Sequence, residues 1–271
     1  AVDRTEAELK NATSPVYTMG PLIHNPQVLG ELEKQGIKVL REDSLPETLT
    51  GAVVIIRAHG ISPQLEADLI SRGAVLADAA CPHVRSGQNR ARALAEGGYR
   101  IFLAGERHHG EVIGIQGFAP GCLVVANPEE AAEAAEALLQ KENPQKTALL
   151  GQTTISPDEY RAVGEAIRRF FPGILIQNTL CGAVIDRQNA LRKLCRAVEA
   201  VIVAGGKDSA NTRRLLALAL SQGKPAWLTE TPRDIPQEIR SYGVVGLCAG
   251  ASTPDAAINA IEEALQTLPP L

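Results

Sequence analysis

Aromatic side chains are scarce in this chain: one Trp, four Tyr and four Phe make up 3% of its 271 residues. Platforms for stacking bases are therefore few, and a formal net charge of -4 removes the basic surface that a phosphate backbone requires. Nucleic acid is not the expected partner. Long apolar runs are absent too. None approaches the roughly 20 residues that span a bilayer, and the opening AVDRTEAELK lacks the hydrophobic centre of a signal peptide. The expectation is a cytoplasmic protein with no membrane partner. Cysteines number only five, odd and widely spaced, which argues against a disulfide framework and for reduced thiols, some of them metal ligands.

What the chain does have is 45% apolar content laid out in short runs that alternate with helical patterns. VYT, AVVIIRA, RIFLAG, ALLGQ, AVIVAG and VVGLCAG read as strands, with stretches such as SPQLEADLISRG between them. Such alternation predicts mostly parallel sheets covered by helices, an α/β fold. Segments of about 90 to 100 residues resemble one another three times, which predicts three α/β lobes over 1–81, 82–180 and 181–271.

Three registers align the repeats. VYTMGPLIHN, IFLAGERHHG and VIVAGGKDSAN each run from a strand through Gly into a polar loop, bringing His24, His108 with His109, and Ser209 with Asn211 to matching places. VVIIRAHGISP, ALLGQTTISP and GLCAGASTP each end in a polar tip, at His59, Thr153 and Ser252, before a Ser/Thr-Pro pair that opens a helix. Ser62, Ser156 and Thr253 are the expected N-caps, with Glu159 completing a capping box on Ser156. Ligands of parallel sheets bind beyond the carboxyl ends of strands, where helix N-termini offer unpaired N–H groups to anions, so the six tips predict an anion site.

The third register places a cysteine before a helix, at Cys81 in DAACPHV and Cys181 in TLCGAVIDRQ, each followed three residues later by Val84 and Val184. The opening AVDRTEAEL fits the same register through Val2, which predicts a third cysteine two positions before Ala1. A helix N-terminus favours the thiolate needed for metal ligation, so Cys81 and Cys181 are the candidate ligands. Cys122, Cys195 and Cys248 fall in apolar patterns and are expected to pack as small hydrophobes.

Taken singly, each polar candidate has an ordinary structural explanation, histidine as a hydrogen-bonded surface residue, serine and threonine as caps. What raises them above it is that four histidines, His24, His59, His108 and His109, stand at strand-to-helix loops, three of which correspond across the repeats. Glu111, in HHGEV, is either a glutamate favoured by a helix dipole or a carboxyl group that moves protons beside His109. His-x-Glu also occurs in zinc deaminases, but their Pro-Cys-x-x-Cys is missing here.

Together these segments resemble the LytB/IspH type 4-hydroxy-3-methylbut-2-enyl diphosphate reductases. The segments are IHNPQVL, RAHGIS, DAACPHV, HGEV, GQTTIS, CGAVIDRQ, GGKDSANTRRL and CAGASTPD. The resemblance implies a trefoil of three α/β lobes around a 4Fe-4S cluster held by three cysteines, two of them Cys81 and Cys181, with one iron open to substrate. It implies that His24, His59, His109, Ser209, Asn211 and Ser252 hold the diphosphate, and that Glu111 and Thr153 lie near the terminal hydroxyl. It also implies isopentenyl and dimethylallyl diphosphate as products, and ferredoxin or flavodoxin as electron donor. The chain departs from the family pattern at Ala210, where many members carry a second serine and only a backbone N–H remains, at Val184 in place of threonine, and at Gly110 in place of the proline of HPEV. Two other readings stand beside it: a zinc hydrolase or lyase using His24, His59 and His109 with Glu111 as base, and a noncatalytic diphosphate-binding paralogue or fragment.

Overall fold

Strands of two to five residues with β-branched and leucine side chains on alternating sides cannot bury themselves without a helical layer on each face. The computed structural model, which describes residues 1–11, 13–23 and 26–268, builds that arrangement three times. The first sheet is formed by β1 (Val16–Met19), β2 (Lys38–Leu40), β3 (Val53–Ile56) and β4 (Val75–Asp78) in the order β2-β1-β3-β4. The second holds β5 (Arg100–Ala104), β6 (Leu123–Val125), β7 (Thr147–Gly151) and β8 (Leu175–Ile176) in the order β6-β5-β7-β8. In the third, β9 (Ala200–Ala204), β10 (Ala226–Thr229) and β11 (Val245–Ala249) run β10-β9-β11. Every strand pairing is parallel.

Ten helices connect these strands among the described residues: α1 (Val2–Asn11), α2 (Pro26–Lys34), α3 (Pro63–Ser71), α4 (Pro82–Glu96), α5 (Gly110–Phe118), α6 (Pro128–Lys141), α7 (Pro157–Arg168), α8 (Gly182–Cys195), α9 (Ala210–Ser221) and α10 (Asp255–Thr267). None of them is long and apolar enough to cross a membrane. The second sheet shows the layering plainly. Ile101 and Leu103 of β5 with Ala148 and Leu150 of β7 pack on α4 and α5, while Phe102, Ala104 and Leu149 pack on α6 and α7. β9 divides in the same way, Val201 and Val203 facing α8 and α9, and Ala200, Ile202 and Ala204 facing α10.

The chain divides into two compact units, one of Ala1–Ile23 with Glu31–Leu180, the other of His24–Gly30 with Cys181–Leu271. The first carries the first and second sheets, the second unit the third sheet.

Helix starts follow the cap chemistry for α3 and α7. Ser62 Oγ accepts from the Leu65 N–H, and Ser156 with Glu159 closes a full capping box. We expect Ser156→Ala to lower stability by about 1 kcal/mol, read as a shift of the denaturant midpoint with unchanged slope. Thr253 does not cap. Its hydroxyl donates to the Ala204 carbonyl at the end of β9, 3.1 Å away, so Pro254 takes the N-cap position and α10 starts at Asp255. Cys122, one residue before β6, packs against the core that β5 and β7 share with α4 and α5, as expected of a small hydrophobe.

Candidate active site

In each sheet the first strand is flanked on both sides, β1 by β2 and β3, β5 by β6 and β7, β9 by β10 and β11, the strand-order reversal at whose carboxyl ends ligands of parallel sheets bind. The polar tips sit at these ends. Cross-strand bonds join neighbouring tips: the Gln152 N–H to Ala104 O at 2.8 Å in the second sheet, and the Gly250 N–H to Ala204 O at 2.9 Å in the third.

In the first unit, His59 and His109 lie edge to face with ring centroids 5.0 Å apart. His109 is also the N-cap of α5: its Nδ1 accepts the Glu111 N–H at 3.2 Å. A nitrogen that accepts a hydrogen bond is unprotonated, so the neutral ring carries its proton on Nε2 as a donor. His108 is exposed in the preceding turn.

Glu111 is 1% exposed and its carboxylate is held from two sides by one residue. Oε1 accepts the Thr153 N–H at 2.8 Å, and Oε2 accepts the Thr153 hydroxyl at 2.9 Å. The sequence singled out both residues. That they form a bidentate pair follows from the adjacency of β5 and β7, whose tips they extend. Gln152, which sequence reasoning passed over, is fully buried and fixes this junction: its Oε1 accepts the Glu106 N–H at 2.9 Å and its Nε2 donates to Thr154 Oγ1 at 3.1 Å. Thr179, two residues before Cys181, anchors its own segment to the β7 tip through paired 2.8 Å bonds with Gly151 N and O.

Cys81 is placed by backbone pairing, its N–H donating to Ala58 O at 2.9 Å beside His59. It occupies the N-cap position of α4 with extended φ and ψ and makes no capping bond through sulfur. Cys181 stands in the same relation to α8. Both thiols are unpaired in disulfides and partly exposed. The remaining three differ chemically: burial pushes Cys122 up to about 11 and Cys248 to about 12, and raises Cys195 as well. Two thiols at helix N-termini with no side-chain cap role suit a thiolate-bound metal group; the three thiols raised by desolvation do not.

In the second unit, Ser209 caps α9, Oγ accepting from the Thr212 N–H at 3.4 Å, and Ala210 and Asn211 form the first turn. Asn211 is 5% exposed, yet neither its Oδ1 nor its Nδ2 has a hydrogen-bond partner among the described residues. A buried amide with both ends unsatisfied costs stability unless a water or a polar ligand meets it. Ser252 follows the β11 tip, half-buried. His24 lies outside the described residues. Among the described residues no three His, Cys, Asp or Glu side chains gather as a metal-binding set.

Arg57 was not singled out in the sequence. It follows β3 directly, two residues before His59, and its half-buried guanidinium reaches the turn after β1 and the start of α5.

Residues 1–266 match the family described as LytB protein. The chain is 43% identical over 257 residues to a 4-hydroxy-3-methylbut-2-enyl diphosphate reductase of Treponema denticola, covering 93% of this chain and 88% of that protein. It is 34% identical to the protein of that name in Aquifex aeolicus, over 99% of this chain and 91% of the relative. Among solved structures, the E-1-hydroxy-2-methyl-but-2-enyl-4-diphosphate reductase of Plasmodium falciparum is similar with a TM-score of 0.89 at 29% identity, over 99% of this chain and 83% of that one. A second, described as the terminal enzyme of the non-mevalonate pathway, has a TM-score of 0.68 at 33% identity, over 98% of this chain and 93% of that one. On a match that runs through nearly every residue, the chain belongs to the LytB family.

Proposed function

We propose that this chain is a 4-hydroxy-3-methylbut-2-enyl diphosphate reductase, an oxidoreductase that removes the terminal hydroxyl of its substrate to give isopentenyl and dimethylallyl diphosphate. The observation that carries this reading is the sealed Glu111–Thr153 pair behind the His59–His109 contact, a proton-transfer device next to anion-binding groups. Breaking the allylic C–O bond consumes two electrons and two protons. One proton leaves with the hydroxyl as water and the other is taken by an allylic carbon.

The Oε2–Oγ contact serves the first of these. With Glu111 protonated, its O–H donates to Thr153 Oγ, and the threonine hydroxyl passes its own proton to the departing oxygen. His109 Nε2–H and His59 are assigned to the diphosphate. His24 is assigned with them, as are Ser209, the Ala210 N–H, Asn211 and Ser252, a set of donors that binds phosphate oxygens without lysine.

A 4Fe-4S cluster would be held by Cys81, Cys181 and a third thiolate expected two positions before Ala1, and would supply the two electrons when bound. Ferredoxin or flavodoxin is the proposed electron donor, and the three α/β lobes are proposed to span 1–81, 82–180 and 181–271. Anaerobic reconstitution of the full-length protein tests the reading. A brown protein with stoichiometric iron and sulfide that reduces the hydroxymethylbutenyl diphosphate is expected. Zinc without iron or sulfide, or a loaded protein that leaves the substrate untouched, would overturn it.

A further inference from the structure

Gly110 is the first residue of α5, where proline is favoured because its missing N–H is unneeded and its φ is already helical. Glycine is not required there by backbone conformation, since Gly110 is absent from the positive-φ residues. A Cβ at Gly110 would stand 3.0 Å from Arg57 Nη2 and 3.3 Å from Cζ, so any side chain there would displace the guanidinium from its present place. At Gly20, where a φ of +70° already selects glycine, a Cβ would meet Nη1 of the same guanidinium at 2.6 Å. On its third side, Arg57 Nε donates to the Gly60 carbonyl at 3.5 Å. One planar group thus touches the turn after β1, the residue following His59 and the residue following His109.

We propose that Arg57 is a positioning residue, a planar spacer whose guanidinium sets the separation of the His59 and His109 imidazoles. The Gly60 bond fixes the turn that carries His59, and contact with Gly110 fixes how closely the cap of α5 approaches it. Burial lowers the pKa of Arg57, and the nearby Glu42 carboxylate raises it in part, so the cation is held at a desolvation cost that a purely decorative residue would not justify. An arginine suits the role because its fork is rigid, whereas a lysine keeps the charge and loses the shape. The inference rests on the reductase reading and assigns Arg57 no contact with the reacting atoms.

The test is a double-mutant cycle in the full-length holoenzyme. Arg57→Met retains the stem and removes the fork; Gly110→Ala keeps the fork and crowds it. Each alone is expected to raise KM for the substrate, with kcat/KM falling about 10- to 100-fold for Arg57→Met at unchanged iron and sulfide content. Gly110→Ala adds little once Arg57 is Met, because the atoms it would crowd are gone. Arg57→Lys behaves like Arg57→Met. Calorimetric binding of inorganic diphosphate gives a second readout, its Kd following the same non-additive pattern. Additive effects, full recovery by lysine, or a lowered Tm with KM and Kd unchanged would overturn the proposal. A wild type that binds diphosphate with this coupling but reduces no substrate sinks the reductase reading alone; one that binds no diphosphate sinks both.

Discussion

Glu111→Gln lowers kcat by about 10²- to 10⁴-fold while leaving KM and diphosphate affinity near their original values, the signature of a lost proton donor and not of lost binding. Glutamine fills the same space. Its carbonyl can still accept one of the two Thr153 bonds, but its NH₂ cannot accept the other and has no proton to give up at neutral pH. The threonine hydroxyl then accepts from the NH₂ as it would from the protonated carboxyl, but no proton follows to replace the one it gives up. Single-turnover kinetics with iron and sulfide content checked in the same sample separates this outcome from cofactor loss. Equal kcat in the glutamine variant would remove Glu111 from the chemistry.

Cys81→Ala and Cys181→Ala are expected to reduce activity to background together with the visible absorption, iron and sulfide of the reconstituted protein. Cys122→Ala and Cys248→Ala are expected to keep all four. The contrast is one of placement. The first pair stands at the positive ends of α4 and α8, without a cap bond to lose. Cys122 and Cys248 stand at no helix start, and desolvation, joined at Cys248 by the neighbouring Cys195, raises those thiols to about 11 and about 12, so neutral pH leaves them protonated. Metal analysis of the four variants decides it, and iron retained in both Cys81→Ala and Cys181→Ala would overturn the ligand assignment.

Much of the fold was legible because its signals are local. Each apolar run named in the sequence is a strand, and Ser62 and Ser156 cap helices because a hydroxyl followed by proline leaves the chain few alternatives. Thr253 carries the same pattern and fails, since the carbonyl of Ala204, 49 residues away, competes successfully for its hydroxyl. No local rule reports such a competitor. Candidate residues were legible by type and register but not by partnership: Glu111 and Thr153 were both named, yet their pairing depends on which strands are neighbours. Arg57 was missed because its significance lies in what a distant glycine, Gly110, lacks. The departure at Gly110 was the available signal.

Each sheet draws its strands from one uninterrupted stretch of chain, with every pairing closed before the next sheet begins. The loops that must close are therefore moderate in length, and the entropy cost of closing them grows only slowly with that length. Parallel pairing forbids hairpins, so each closure waits on its crossover helix. The chain accordingly has three separate places to nucleate. A destabilising change in one sheet is expected to slow that nucleation event while the other two proceed at their own rates.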